Sequence, residues 1–114
     1  MFPKQIQDRF DKGMGCWSNI DEGWIPLIIE LDQKLSVIDP DYTIDQIKEK
    51  FGGLRFYFSS EKEGLDVIVD EYEHKSYSIC EMCGSTMASK RSIKGWLKTL
   101  CSEHYKETLD KVNK

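Results

Sequence analysis

Three cysteines and one histidine in the last third of the chain have the types and spacing of a metal site. Two residues separate Cys80 from Cys83, which Gly84 follows, and two residues separate Cys101 from His104. A tight turn can point both sulfurs of the first pair at one ion, and the glycine tolerates the positive φ that follows such a turn. On a helix, the i and i+3 positions of the second pair share a face. We therefore predict that three thiolates and one imidazole bind one ion.

Three thiolates and one imidazole suit Zn(II) in a tetrahedral site. All four positions would be filled by the protein, so no position remains for an activated water, and we expect the zinc to be structural. A redox cysteine pair is one alternative, but it belongs with a βαβ pattern. Two disulfides are another, but the chain shows no secretory signal and cytosolic thiols are kept reduced. His74 could replace His104 as fourth ligand, although it lacks a paired spacing.

The segments around the two ligand pairs must bring them together. The 17 residues between Cys83 and Cys101 include Gly95 and are long enough for a short hairpin. A C-terminal helix over Ser102–Val112 would present the second pair in its first turn. A cysteine turn, a hairpin and ligands at a helix start, in this order, resemble the plan of treble-clef zinc fingers, and we predict a treble-clef-like zinc module here.

The remaining chain is predicted to form an α+β body, with helices packed on a small antiparallel sheet. Apolar residues at helical spacing predict helices over Pro3–Lys12, Trp24–Ile38 and Glu63–Tyr77. The aromatic-rich segment Leu54–Ser59 predicts a strand. With Thr43–Lys50 it would form a β-hairpin that turns at Gly52-Gly53, although residues 43–51 also fit an amphipathic helix.

Charge divides the chain into two parts. The 114 residues carry a formal net charge of −4, with 39% hydrophobic and 32% charged residues, as in a globular protein. Residues 1–79 hold 9 Lys/Arg and 16 Asp/Glu, whereas residues 80–114 hold 7 Lys/Arg and 4 Asp/Glu. We therefore predict an acidic body over 1–79 and a mildly basic zinc module over 80–114. No apolar run reaches the ~18 residues of a membrane helix, so we expect a cytoplasmic protein.

The sequence contains no motif that predicts an enzyme. It has neither a phosphate-binding glycine loop of the P-loop type nor a G-x-S-x-G motif. Cys16 is expected to be a free thiol, and nothing in the sequence supports its pairing with His74 as an activated nucleophile. We expect no catalytic residue and a function in binding.

Three groups of residues are candidates for binding. A basic strip with one aromatic could grip a nucleic-acid backbone and stack a base. It comprises Lys90, Arg91, Lys94, Trp96 and Lys98. The 16 carboxylates of the body could instead face a basic groove on a partner protein. Trp17 and Trp24 could pack over the rim of the core or anchor a partner.

Four segments lie between about residues 20 and 105: Gly23-Trp24, the run QIKEKFGGLRFY over 46–57, the motif CEMCG over 80–84 and the motif WLKTLC over 96–101. Together they give the chain a likeness to a family of small uncharacterised proteins of phages and bacterial prophages. This likeness implies a phage accessory protein in a bacterial host cell. The family's function is not established, so the likeness assigns no catalytic residue to this chain. Such proteins often inhibit host defence, and small zinc-binding anti-CRISPR proteins that act on Cas9-type effectors are similar in size. The expected partner is therefore a host protein, with nucleic acid as the alternative.

Overall fold

The structure, a computed structural model, describes residues 2–10 and 18–112. Within these ranges the fold is α+β, with four α-helices and two sheets. The helices are α1 (Lys4–Gln7), α2 (Ile25–Ile38), α3 (Leu65–Lys75) and α4 (Ser102–Val112). The strands are β1 (Ser18–Asn19), β2 (Thr43–Lys50), β3 (Gly53–Ser59), β4 (Ser89–Ile93) and β5 (Trp96–Leu100). None of the helices in the described ranges is long and apolar enough to cross a membrane.

The first sheet has the order β1-β2-β3, in which β2 and β3 form the predicted antiparallel hairpin and β1 runs parallel to β2. The helical alternative for residues 43–51 is wrong. The turn lies at Phe51-Gly52, one residue earlier than predicted, because Gly53 already pairs with Lys50. Phe51 and Gly52 have φ values of +54° and +79°, as a two-residue type I′ turn requires.

Two helices are shorter than the sequence predicts. The helix expected over Pro3–Lys12 ends at Gln7, because the following backbone joins the sheet: Phe10 bridges to Ile44, whose N–H donates to Arg9 O at 2.7 Å. The helix expected from Glu63 starts at Leu65, because the preceding Gly64 has a left-handed φ of +94°. The last two residues of the range predicted for the first helix, Asp11 and Lys12, lie outside the described residues.

The main core lies between α2, α3 and the first sheet. The predicted apolar face of α2 is buried and packs with residues of β2, β3 and α3. Trp24 is only 1% exposed, and its indole N–H donates to Ile79 O at 2.8 Å. Because a partner anchor must be accessible, the structure supports the core position for Trp24 and not the anchor. Trp17 and Cys16 lie outside the described residues.

A largely buried ion pair connects the segment after α1 to α2. Arg9 Nε donates to Asp32 Oδ1 at 2.8 Å, and the two side chains are 17% and 6% exposed. Tyr42 donates its hydroxyl to the same oxygen, while the Arg9 guanidinium lies 4.3 Å from the Tyr42 ring centre. Burial, followed by the interaction with Asp32, raises the pKa of Tyr42. The carboxylate of Asp32 therefore holds three segments together.

We predict that Asp32→Ala lowers the free energy of unfolding by about 3–5 kcal/mol, because it leaves a buried guanidinium without its counter-charge. Urea denaturation followed by circular dichroism measures this change. The matched control is Asp110→Ala, which removes an exposed carboxylate and is expected to change stability by less than about 0.5 kcal/mol. Equal stability of the two variants would contradict the assignment.

Candidate metal centre

The first ligand pair lies in a tight turn. The N–H of Gly84 donates to Cys80 O at 2.9 Å, and the N–H of Cys80 donates to Ser85 O at 2.8 Å. Gly84 has a φ of +82°, as predicted for the residue after the second cysteine. The turn brings the sulfurs of Cys80 and Cys83 to the same side of the chain.

The predicted hairpin is formed by β4 and β5, which are joined at Lys94-Gly95 with φ values of +48° and +87°. It delivers Cys101 to the first pair directly after β5. Buried Ile93 and Leu100 form a second, smaller apolar cluster with the cysteines. Partly buried side chains of α4 cover this cluster, namely Tyr105, Leu109 and Val112.

Cys101 lies at the start of α4 and caps it. Its carbonyl accepts the N–H of Tyr105 at 2.9 Å, and its sulfur accepts the backbone N–H of His104. The sulfur thus takes the place of the oxygen of an ordinary capping side chain, at the positive end of the helix dipole. The hydrogen bond from this backbone N–H, together with the His104 ring, lowers the pKa of Cys101 to about 7. This environment favours the thiolate, the form that binds metals.

The four predicted ligand atoms meet in one cluster. They all lie within 4.8 Å of one another. Cys83 Sγ and Cys101 Sγ are 3.8 Å apart, and His104 Nδ1 lies 3.2 Å from Cys101 Sγ and 3.7 Å from Cys80 Sγ. Tetrahedral coordination with zinc bond lengths would place two sulfurs ~3.8 Å apart and a sulfur and a nitrogen ~3.5 Å apart. The cluster could therefore bind a metal ion without a large rearrangement.

The imidazole of His104 is oriented by both of its nitrogens. Nδ1 faces the thiols, and the interaction with Cys101 raises the pKa of His104. Nε2 lies 4.0 Å from Glu107 Oε2, one helical turn further along α4. Carboxylates in this position commonly orient metal-binding imidazoles. His74 is not an alternative ligand, because it is exposed on α3, with Nδ1 2.8 Å from Asp70 O, and lies outside the cluster.

Glu81 is a residue of the site that the sequence analysis missed. Its buried carboxylate accepts the N–H of Thr99 at 2.7 Å and lies 3.9 Å from Lys98 Nζ. Burial raises the pKa of Glu81 to about 6. Its backbone carbonyl accepts the N–H of Gly23 at 2.7 Å. Glu81, one of the two residues between the first two cysteines, thus connects the ligand cluster to β5 and to the segment just before α2. The signal in the sequence was the position of Glu81 between Cys80 and Cys83, where a carboxylate needs a hydrogen-bond partner if it is buried.

The predicted basic strip is divided between the two faces of the β4–β5 hairpin. Arg91, which pairs with Lys98, shares one face with Lys98 and Trp96, and Lys90 lies on the other face. Arg91 stacks on the Tyr105 ring at 4.5 Å and donates to Leu100 O. Lys94 lies 3.3 Å from Val112 O, and Lys98 lies beside the carboxylate described above. Lys90 lies instead over the Tyr77 ring, and Trp96 is exposed at the hairpin end.

Comparison with models of protein families, with curated proteins and with solved structures finds no match. The chemistry of the cluster is therefore derived from the positions of its own four side chains. Three sulfurs and one nitrogen provide four metal-binding atoms. A complete tetrahedral set of protein ligands is typical of a structural metal ion.

We predict that Cys101→Ser and His104→Ala each abolish stoichiometric metal binding and lower the melting temperature, because the affinity for a structural metal contributes directly to folding. Metal analysis of the purified variants and circular dichroism measure the two effects. His74→Ala is the matched control and should retain both properties, since this side chain lies outside the cluster. A metal-free Cys101→Ser variant with unchanged melting would show that no ion supports the fold.

We predict that Gly23→Ala destabilises the protein by at least about 3 kcal/mol, the upper range for an overpacked site. A Cβ atom at this position would collide with the backbone carbonyls of Cys80 and Glu81. Gly64→Ala is the control: its site has a left-handed φ but open space around it, and should cost about 1–2 kcal/mol. Urea denaturation compares the two, and an equal loss of stability would contradict the close contact.

Proposed function

We propose that the cluster binds one Zn(II) ion as a structural brace, and that the protein is a non-enzymatic binding protein. One observation carries this proposal: four zinc-type ligand atoms, all from the protein, lie within 4.8 Å of one another. Three thiolates and one imidazole favour zinc over harder cations such as Mg²⁺. The order of cysteine turn, hairpin and helix-start ligands supports a treble-clef arrangement of the module.

The first proposed partner is a host protein, with a Cas9-type effector as the example that the phage-family resemblance implies. A protein that normally holds nucleic acid presents a basic groove, and an acidic surface can complement it. The segment that leads into α3 and the outer face of this helix supply such a surface. Their exposed carboxylates are Glu61, Glu63, Asp66, Asp70 and Glu71. In this proposal the protein acts in the cytoplasm of a bacterial host.

The second proposed partner is nucleic acid. It is favoured by cations that lie over aromatic rings on the opposite side of the first sheet from α3, at Lys48 over Tyr57 and at Lys90 over Tyr77. Stacking rings combined with cations are typical of surfaces that bind single strands. The acidic and the basic surface are built from different elements, so each partner can be tested separately.

We predict that the tagged protein retains a stoichiometric host protein after nuclease treatment, and that Asp66→Lys/Asp70→Lys weakens this retention by placing cations opposite a basic groove. The matched control reverses two exposed carboxylates of α4, Glu103→Lys/Asp110→Lys, and should retain the partner. Pull-down followed by mass spectrometry measures retention, with zinc content checked for each variant. Loss of every protein on nuclease treatment, or equal retention by both variants, would exclude the acidic face as the binding surface.

A further inference from the structure

The outer face of the first sheet carries cations beside aromatic rings. Lys48 and Arg55 are opposite each other on β2 and β3, on the face away from the buried side chains of Ile47 and Phe56. Lys48 Nζ lies 5.5 Å from the centre of the Tyr57 ring, which is on the same face. This face therefore offers two positive charges and one accessible ring.

The row continues across both sheets. Arg55 Nη2 lies 3.3 Å from the hydroxyl of Tyr77, and Lys90 Nζ on β4 lies 4.8 Å from the centre of the same ring. Tyr77 packs over Gly53, where a Cβ atom would meet the ring at 2.5 Å. We call the row formed by Lys48, Tyr57, Arg55, Tyr77 and Lys90 the cation–aromatic strip.

The tips of the two hairpins lie beside each other and expose two large aromatic rings. Phe51 is 61% and Trp96 is 74% exposed, and both line a groove of about 430 Å³ together with Glu49, Lys50, Gly95 and Leu97. The hydroxyl of Thr99 donates to Gly52 O and so connects one tip to β5. A phenylalanine with a positive φ is unusual, and strained residues of this kind concentrate at functional sites.

The charges near the strip contrast with the net charge of −4. Among the described residues, no carboxylate lies within 4 Å of the charged group of Lys48, Lys50, Arg55 or Lys90. The two nearby carboxylates are engaged with the backbone: Glu49 accepts the N–H of Gly52 and Glu73 accepts the N–H of Phe56. No described carboxylate therefore pairs with these four cations, although Arg55 also donates to Leu54 O and to the Tyr77 hydroxyl, and their positive charge can attract an external anion.

We propose that the cation–aromatic strip and the groove between the hairpin tips bind single-stranded nucleic acid. The four cations would contact phosphates, and the rings of Phe51 and Trp96 would stack on unpaired bases. A duplex keeps its bases stacked on one another and cannot use these rings, and an acidic peptide would need only the cations. This inference rests on the proposed binding function. It specifies single strands as the form of nucleic acid bound, where nucleic acid is the partner.

The test uses fluorescence anisotropy with a labelled oligothymidylate of about 20 nucleotides, longer than the ~4–16 nucleotides that single-strand-binding domains cover. Four phosphate contacts predict a slope of about −3 for the logarithm of the association constant against the logarithm of salt concentration. Lys48→Gln/Lys50→Gln/Lys90→Gln should reduce this slope by about 2. The control Lys62→Gln/Lys106→Gln/Lys111→Gln removes the same charge from exposed sites elsewhere and should leave the slope unchanged.

A second variant tests stacking independently of charge. Trp96→Ala removes an exposed ring, so folding should be retained, and affinity for the oligothymidylate should fall about 5- to 150-fold with an unchanged salt slope. The inference is overturned if both triple variants lose affinity equally, if Trp96→Ala binds as tightly as the unaltered protein, or if polyglutamate or a DNA duplex binds as well as the oligothymidylate.

The same preparations separate failure of this inference from failure of the proposed function. In one outcome the zinc-loaded protein does not bind the oligothymidylate but retains, through α3, a host protein that survives nuclease treatment. This result would exclude the cation–aromatic strip as a nucleic-acid site and would still support a host protein as the partner. A folded protein that contains no zinc overturns the brace, whatever it binds. Specific binding of the oligothymidylate with the expected response of all three variants supports the inference.

Discussion

The C-terminal third is arranged around four atoms that could bind a metal ion and that come from two pieces of chain 17 residues apart in sequence. The apolar cluster around them is small, with Ile93 and Leu100 as its buried aliphatic side chains within the described residues. So small a core contributes little stability by itself, and small modules of this kind commonly depend on a metal ion. The metal would hold the β4–β5 hairpin and α4 against the cysteine turn, where a larger domain would use more apolar contacts.

The cysteine turn has a second partner on its other side. Through Glu81 it bonds to β5 and to Gly23, two residues before α2, so the same few residues contact both the ligand cluster and the segment that leads into the main core. Trp24 strengthens this junction, because its indole N–H bonds to Ile79 just before the turn. A metal ion bound in this position would therefore also hold the two hairpin tips beside each other. It would thereby fix the relative position of the exposed rings of Phe51 and Trp96.

The parts of the structure that the sequence predicted are those encoded by local spacing. The ligand cluster follows from two short motifs, α2 follows from helical spacing, and the first hairpin follows from an aromatic-rich segment beside two glycines. Contacts between distant segments do not follow from such patterns. The first helix ends early because the backbone near Phe10 joins β2. The sequence left two positions open for Trp24, and the structure shows it in the core with a hydrogen bond to Ile79, 55 residues away. The basic strip was predicted from proximity along the chain, whereas the cation–aromatic strip combines residues of β2, β3 and β4 with Tyr77.

Net charge alone would argue against a nucleic-acid partner, but the placement of the charges matters more than their sum. Exposed charges interact over about 8–10 Å at physiological salt, beyond which screening removes most of the effect. The exposed carboxylates of α3, those of Asp66, Asp70 and Glu71, point away from the core, which this helix meets through Val69 and Tyr72. Lys48, Lys50 and Arg55 lie on the opposite face of the first sheet. A nucleic-acid strand bound on that face would therefore interact mainly with the nearby cations and rings, whereas a basic protein would bind the carboxylates of α3. One chain with a negative net charge could offer both surfaces.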